Sequence, residues 1–124
     1  MMNLTSASLK VFLALDPCDM RNSFNGLSSL ASDQLQTGPA RDTLFVFTNK
    51  RRNRIKLLYF DGTGTWVAAK RLETGRFSWP SPSEPGQRHV KLASEALQLL
   101  IDGVDLRGAT FKPWYERPDS TRKM

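Results

Sequence analysis

The chain has 124 residues, a mass of 14.0 kDa and a net charge of +6, which suits one domain around one hydrophobic core and leaves no room for two ordinary ones. A single cysteine, Cys18, excludes an intrachain disulfide, and the longest early apolar run, Val11 to Leu15, is too short for a membrane span or a signal-peptide core. A cytoplasmic protein with no membrane association is therefore expected.

Lys10 to Leu15 is a short β-rich run stopped by Asp16 and Pro17. A helix is expected next, with Asp19 as its cap and Met20, Phe24, Leu27, Leu30, Ala31 and Leu35 forming an apolar stripe at three- and four-residue steps. Gly38 and Pro39 end it. Three strands follow, Thr43 to Thr48, Arg54 to Phe60 and Thr65 to Leu72, and their short connections make them antiparallel neighbours.

Pro80, Pro82 and Pro85 make the stretch from Phe77 to Gln87 an irregular connector. A second helix is expected from about Ser94 to Asp102, with Leu92, Ala96, Leu97, Leu99, Leu100 and Ile101 for burial and Gly103 as its stop. The expected fold is α+β: one domain over residues 1–111, an antiparallel β-meander of three to four strands with helices packed on one face. Residues 112–124 read as a disordered basic tail.

Charge is distributed unevenly. Residues 50–76 hold eight basic and two acidic side chains, a surplus of six that equals the whole net charge, while the other residues balance at ten of each. A turn over residues 50–53 pairs Phe47 with Lys56, Val46 with Leu57 and Phe45 with Leu58. A turn over residues 61–64 pairs Tyr59 with Trp66, Leu58 with Val67, Lys56 with Ala69 and Arg54 with Arg71. Lys50, Arg51, Arg52, Arg54, Lys56, Lys70, Arg71 and Arg76 then gather at one end of the sheet, with Arg54, Lys56 and Arg71 on one face.

A polyanion backbone is the favoured partner of such a patch, ahead of an acidic protein surface or a solvated face. Trp66, Phe77 and Trp79 can stack on bases, although an aromatic in a strand or before proline is more often core.

Catalytic constellations are sparse. Cys18 and the only histidine, His89, are far apart in sequence and make neither an expected nucleophile–base pair nor a metal site. The Asp61-Gly62-Thr63-Gly64 segment lacks the spaced carboxylates of a calcium loop and reads as a hairpin turn. The acids stand at caps and turns, so no enzyme activity, metal or other cofactor is expected. A third alternative is a small metal-dependent nuclease with Asp61 and Glu73 as ligands.

Several ordered segments together resemble the TnpB accessory proteins of the insertion-sequence-66 family of bacterial transposable elements. They are Asp19-Met20-Arg21 with Gly26-Leu27, Leu44 to Phe47, Lys56 to Tyr59, Asp61-Gly62 with Gly64 and Trp66, and Lys70 to Glu73 followed by Gly75-Arg76-Phe77 and Trp79-Pro80. The resemblance spans about residues 8 to 106. It departs at Asn22, Asn25, Phe60, Ala68 and Ala69, where the family tends to carry Lys, Asp, Trp and, at the last two, bulkier residues. It does not extend to the RNA-guided nucleases that share the TnpB name. What it implies is a non-catalytic accessory protein in DNA transposition and recombination, with DNA and a separate transposase as partners. The alternative is a protein adaptor whose basic cluster docks an acidic surface of the transposase.

Overall fold

A computed structural model describes residues 9–35, 41–106 and 115–116. Strand β1 (Lys10–Ala14) leads to helix α1 (Phe24–Leu35), then to β2 (Thr43–Thr48), β3 (Arg54–Phe60) and β4 (Thr65–Arg71). After an irregular stretch come β5 (His89–Leu92), a 3-10 turn (Ser94–Ala96), helix α2 (Leu97–Ile101) and the two-residue strand β6 (Tyr115–Glu116). These strands form one sheet in the order β4-β3-β2-β1-β5-β6. The expected tail otherwise lies outside the described residues.

The meander has the expected register. Phe47 pairs with Lys56, Val46 with Leu57 and Phe45 with Leu58, and Tyr59 pairs with Trp66, Leu58 with Val67 and Arg54 with Arg71. The rest of the sheet departs from a simple antiparallel meander. β1 runs parallel to β2, with Val11 beside Leu44 and Leu13 beside Val46, because α1 carries the chain back across the sheet and parallel strands need such a crossover. β5 then adds antiparallel to the other side of β1, so the sheet is mixed and the first strand is central.

The helices lie on opposite faces, which corrects the one-face expectation. Alternation along the strands sends Val11, Leu13, Leu44, Val46, Ile55 and Leu57 into one core cluster, closed by Phe77, Trp79, Leu97 and Leu100. Ala14, Phe45, Phe47 and Leu58 point the other way, against Leu27 and Ala31 of α1. Central strands buried on both faces carry apolar residues at successive positions, and β2 is buried along its whole length.

Two element boundaries also differ. α1 begins at Phe24, since Asp19 does not cap it: the Asp19 carboxylate accepts the Arg21 N–H at 2.8 Å and its guanidinium at 2.6–3.1 Å. The Asn22 N–H donates to the Asp19 carbonyl, which makes residues 19–22 a separate turn before the helix. Leu92 belongs to β5 and not to a helix, and α2 is only five residues long. Gly103 does stop α2. At φ 83° it lets its own N–H reach the Leu100 carbonyl and the Val104 N–H reach that of Leu99, the double bond of a Schellman ending.

Candidate nucleic-acid interface

The basic turn joining β2 to β3 is held by its own asparagines. Asn49 Oδ1 accepts the backbone N–H groups of Asn53 (3.1 Å) and Arg54 (3.2 Å), and Asn49 Nδ2 donates to Asn53 Oδ1 at 2.7 Å. Thr48 Oγ1 closes the base by donating to the Arg54 carbonyl. Within this frame Arg52 sits at φ 58°, a left-handed conformation that costs a non-glycine residue energy and persists where the surroundings over-determine it.

Segments from farther along the chain dock on the same turn. The Leu72 N–H donates to the Asn53 carbonyl at 2.9 Å and the Phe77 N–H to the Arg52 carbonyl at 2.7 Å. These bonds place Lys70, Arg71 and Arg76 beside Lys50, Arg51, Arg52 and Arg54. The eight basic residues therefore do share one end of the sheet, but on three surfaces.

Arg54, Lys56 and Arg71 lie on the α1 face, where with Met20, Ala69 and Glu73 they line an open groove of about 420 Å³ that also touches Ile55 and Lys70. Arg52 and Arg76 border a hollow of about 220 Å³ on the opposite side, with Phe77, Trp79, Gly103 and Asp105. Lys50 and Arg51 stand exposed at the turn tip.

Two of the eight are tied to backbone. Lys56 Nζ donates to the Asn22 carbonyl at 2.6 Å, and Lys70 Nζ to the Ile101 carbonyl at 2.8 Å, where a cation satisfies a free carbonyl at the end of α2. The ion pairs Arg21–Asp19, Arg41–Asp42 and Arg88–Asp16 include none of the eight. Arg54 and Arg71 face each other directly across β3 and β4, a like-charge arrangement that costs about 0.2–1 kcal/mol.

The aromatic residues separate cleanly. Phe77 and Trp79 are 2% and 3% exposed, and the Trp79 indole N–H donates to the buried Ala14 carbonyl at 2.9 Å, so both are core. Trp66 is 41% exposed. It is held by Asp61, whose Oδ2 accepts the indole N–H at 2.8 Å while Oδ1 accepts the N–H groups of Thr63 and Gly64 and the Thr63 hydroxyl. The backbone N–H of Thr63, then Trp66, pull the Asp61 carboxyl far below the usual range.

Asp61 therefore organises the β3–β4 turn, and Glu73 lies beyond the other end of β4, seven strand residues away. At about 3.3 Å per residue the two carboxylates do not meet in a metal site. Among the described residues no three His, Cys, Asp or Glu side chains converge to hold an ion. Cys18 is half-buried with its thiol pKa raised, mainly by burial and then by the Asp19 charge, which disfavours the thiolate a nucleophile needs. His89, its pKa lowered by burial, packs edge-on to Phe12.

Sequence reasoning overlooked Met20 as a groove wall, Asn22 as the anchor of Lys56, and the Asn49/Asn53 pair. Only the last had a visible signal, two asparagines bracketing three consecutive basic residues. Among the described residues no helix is long and apolar enough to cross a membrane.

Comparison with known proteins agrees with the motif pattern. The family model described as IS66 Orf2 like protein matches residues 9–110. Two proteins of Sinorhizobium fredii (strain NBRC 101917 / NGR234) are similar along most of their length. Uncharacterized protein y4jC is 35% identical over 108 residues, covering 87% of this chain and 90% of its own. Uncharacterized protein y4hO is 33% identical over 100 residues, covering 81% and 84%. No solved structure matches. Matched across both helices and the first five strands, the chain belongs to the IS66 Orf2-like family, whose members are associated with IS66 transposition.

Proposed function

We propose that this protein is a non-catalytic accessory factor of transposition that binds nucleic acid through the basic sheet end and helps the transposase assemble on element ends. The observation that carries this reading is an excess of cations, eight basic residues with only Glu73 and Asp105 among the acids lining the same hollows, fixed on a hydrogen-bonded frame and including a directly opposed Arg54–Arg71 pair. Folding alone has no use for that pair, whereas a phosphate backbone placed between the guanidinium groups turns repulsion into charge-assisted hydrogen bonding. The family association with IS66 transposition supplies the context.

Binding is expected to weaken steeply with salt. Replacing Lys50, Arg51, Arg52 and Arg54 together with glutamine should flatten the slope of log affinity against log salt by about three to four units. Tight binding that ignores salt, or that survives the quadruple change, refutes the reading. Failure to shift DNA alone, combined with a stable complex with the transposase, assigns the cluster to an acidic protein surface and makes the chain an adaptor.

A further inference from the structure

The groove on the α1 face has a shape that a surface patch does not. Its cations come from two adjacent strands, Arg54 and Arg71 directly opposed, with Lys56 two residues farther along β3 on the same face. Between them β4 presents only the methyl group of Ala69, the register partner of Lys56, and Met20 supplies an apolar wall from the turn before α1. Glu73 at the rim is the one acid, so the charge balance of the lining remains positive.

Position is fixed from both sides. The Leu72 N–H holds the end of β4 to Asn53, and the Asn22 carbonyl holds Lys56. A volume of about 420 Å³ falls at the small end of the range for small-molecule sites, roughly 300–1,000 Å³. It suits one nucleotide.

We propose that this groove is a single-strand site. One phosphate of an unpaired strand sits between Arg54 and Arg71, and its nucleoside packs on Met20 and Ala69. A duplex carries its phosphates outside and its base faces stacked inside, so it can set a phosphate against the exposed arginines but cannot turn a base face onto Met20 and Ala69. An unpaired strand can bend its backbone in and turn a base face toward the apolar wall. The inference rests on the reading of the cluster as a nucleic-acid interface and specifies which nucleic acid enters the groove.

The test is a charge-neutral block. Ala69 is exposed on a strand, where phenylalanine is a favourable β residue, so Ala69→Phe fills the recess without altering any cation; Ala69→Ser serves as the open-groove control. Binding of the full chain to a thymidine homopolymer and to the corresponding adenine–thymine duplex is measured by fluorescence anisotropy at two salt concentrations, with thermal midpoints confirming that the variants fold.

Ala69→Phe is expected to weaken single-strand binding about tenfold or more, the worth of one charge-assisted contact. Duplex binding and the Ala69→Ser variant should stay near the wild-type values. If Ala69→Phe leaves single-strand binding unchanged while the quadruple turn variant lowers it, the groove site is overturned and the cluster reading stands. Equal loss on both nucleic acids overturns single-strand selectivity. Absence of salt-dependent binding to either removes the cluster reading together with this one.

Discussion

Trp79→Phe separates a core tryptophan from a base-stacking one. Trp79 is 3% exposed, and its indole N–H reaches the Ala14 carbonyl at 2.9 Å across 65 residues of sequence, stapling the connector after β4 onto the central strand. Phenylalanine keeps one ring but removes that donor, and leaving a buried acceptor short of its partner costs about 1–3 kcal/mol. Part of the second ring is also lost from a packed site, so the total should be about 2–3 kcal/mol. With about 2.1 cal/mol/K of unfolding entropy per residue, the thermal midpoint of a 124-residue chain should fall by roughly 8–12 °C. Differential scanning calorimetry measures the shift, and anisotropy on single-stranded DNA is run in parallel below the lowered midpoint. Unchanged stability together with weakened nucleic-acid binding would refute the core assignment and return Trp79 to the interface.

The remaining expectations concern the charges and one glycine. Arg71→Gln should raise stability at low salt by about 0.2–1 kcal/mol by relieving the opposed Arg54; the gain should fade near 1 M salt, where the Debye length is about 3 Å, and a salt-independent or negative shift counts against it. Asp19 has its pKa lowered to about 2, chiefly by its bonds from Arg21, and Asp61 lies lower still. A depressed carboxyl contributes stability above its unfolded pKa of about 3.9, so circular dichroism should show that contribution lost as pH falls from about 4 toward 2; Asp61→Asn should flatten this profile and release the Trp66 indole, read by its fluorescence. A Cβ on Gly26 would collide with the Asn22 side chain, so Gly26→Ala should stabilise the helix by about 0.5–1 kcal/mol only in an Asn22→Ala background, and additive effects in the double-mutant cycle refute that contact.

The meander was legible because every cue for it is local. Two short turns, at residues 49–53 and 61–64, fix both registers once the strands are placed, and strand alternation then assigns faces without further information. The course of the first strand was not legible: whether Lys10–Ala14 joins β2 parallel or caps an edge depends on where α1 lies, a long-range choice that leaves the same apolar run in either case. β5 was hidden for the same reason. Its four residues, His89–Leu92, continue into the apolar stretch of α2 with no turn signal between them, so periodicity assigned Leu92 to the helix. Asp19 has the composition of a helix cap, yet Arg21 two residues later outcompetes the helix N–H groups for its carboxylate. At the interface, strand register set Arg54, Lys56 and Arg71 apart on one face, but nothing in the sequence marked Lys56 and Lys70 as the two cations tied to backbone carbonyls.

The inequality of the eight cations has a consequence for binding. Lys56 and Lys70 are each held by a backbone carbonyl, and moving either onto a phosphate breaks an internal contact. The other six, Lys50, Arg51, Arg52, Arg54, Arg71 and Arg76, lie along the turn and the chain docked on it. A bound strand gains most from those six, and since each phosphate contact on single strands contributes about 0.7 to the salt slope, a strand that engages those six alone has a slope of roughly four. If Lys56 and Lys70 also left their carbonyls for phosphates, the slope would rise by about 1.4, and with Lys70 the end of α2 would lose a cation that now satisfies it. Binding and the stability of the opposite face would then be coupled through β4, whereas a slope of about four or less keeps the interface and the α2 core energetically separate.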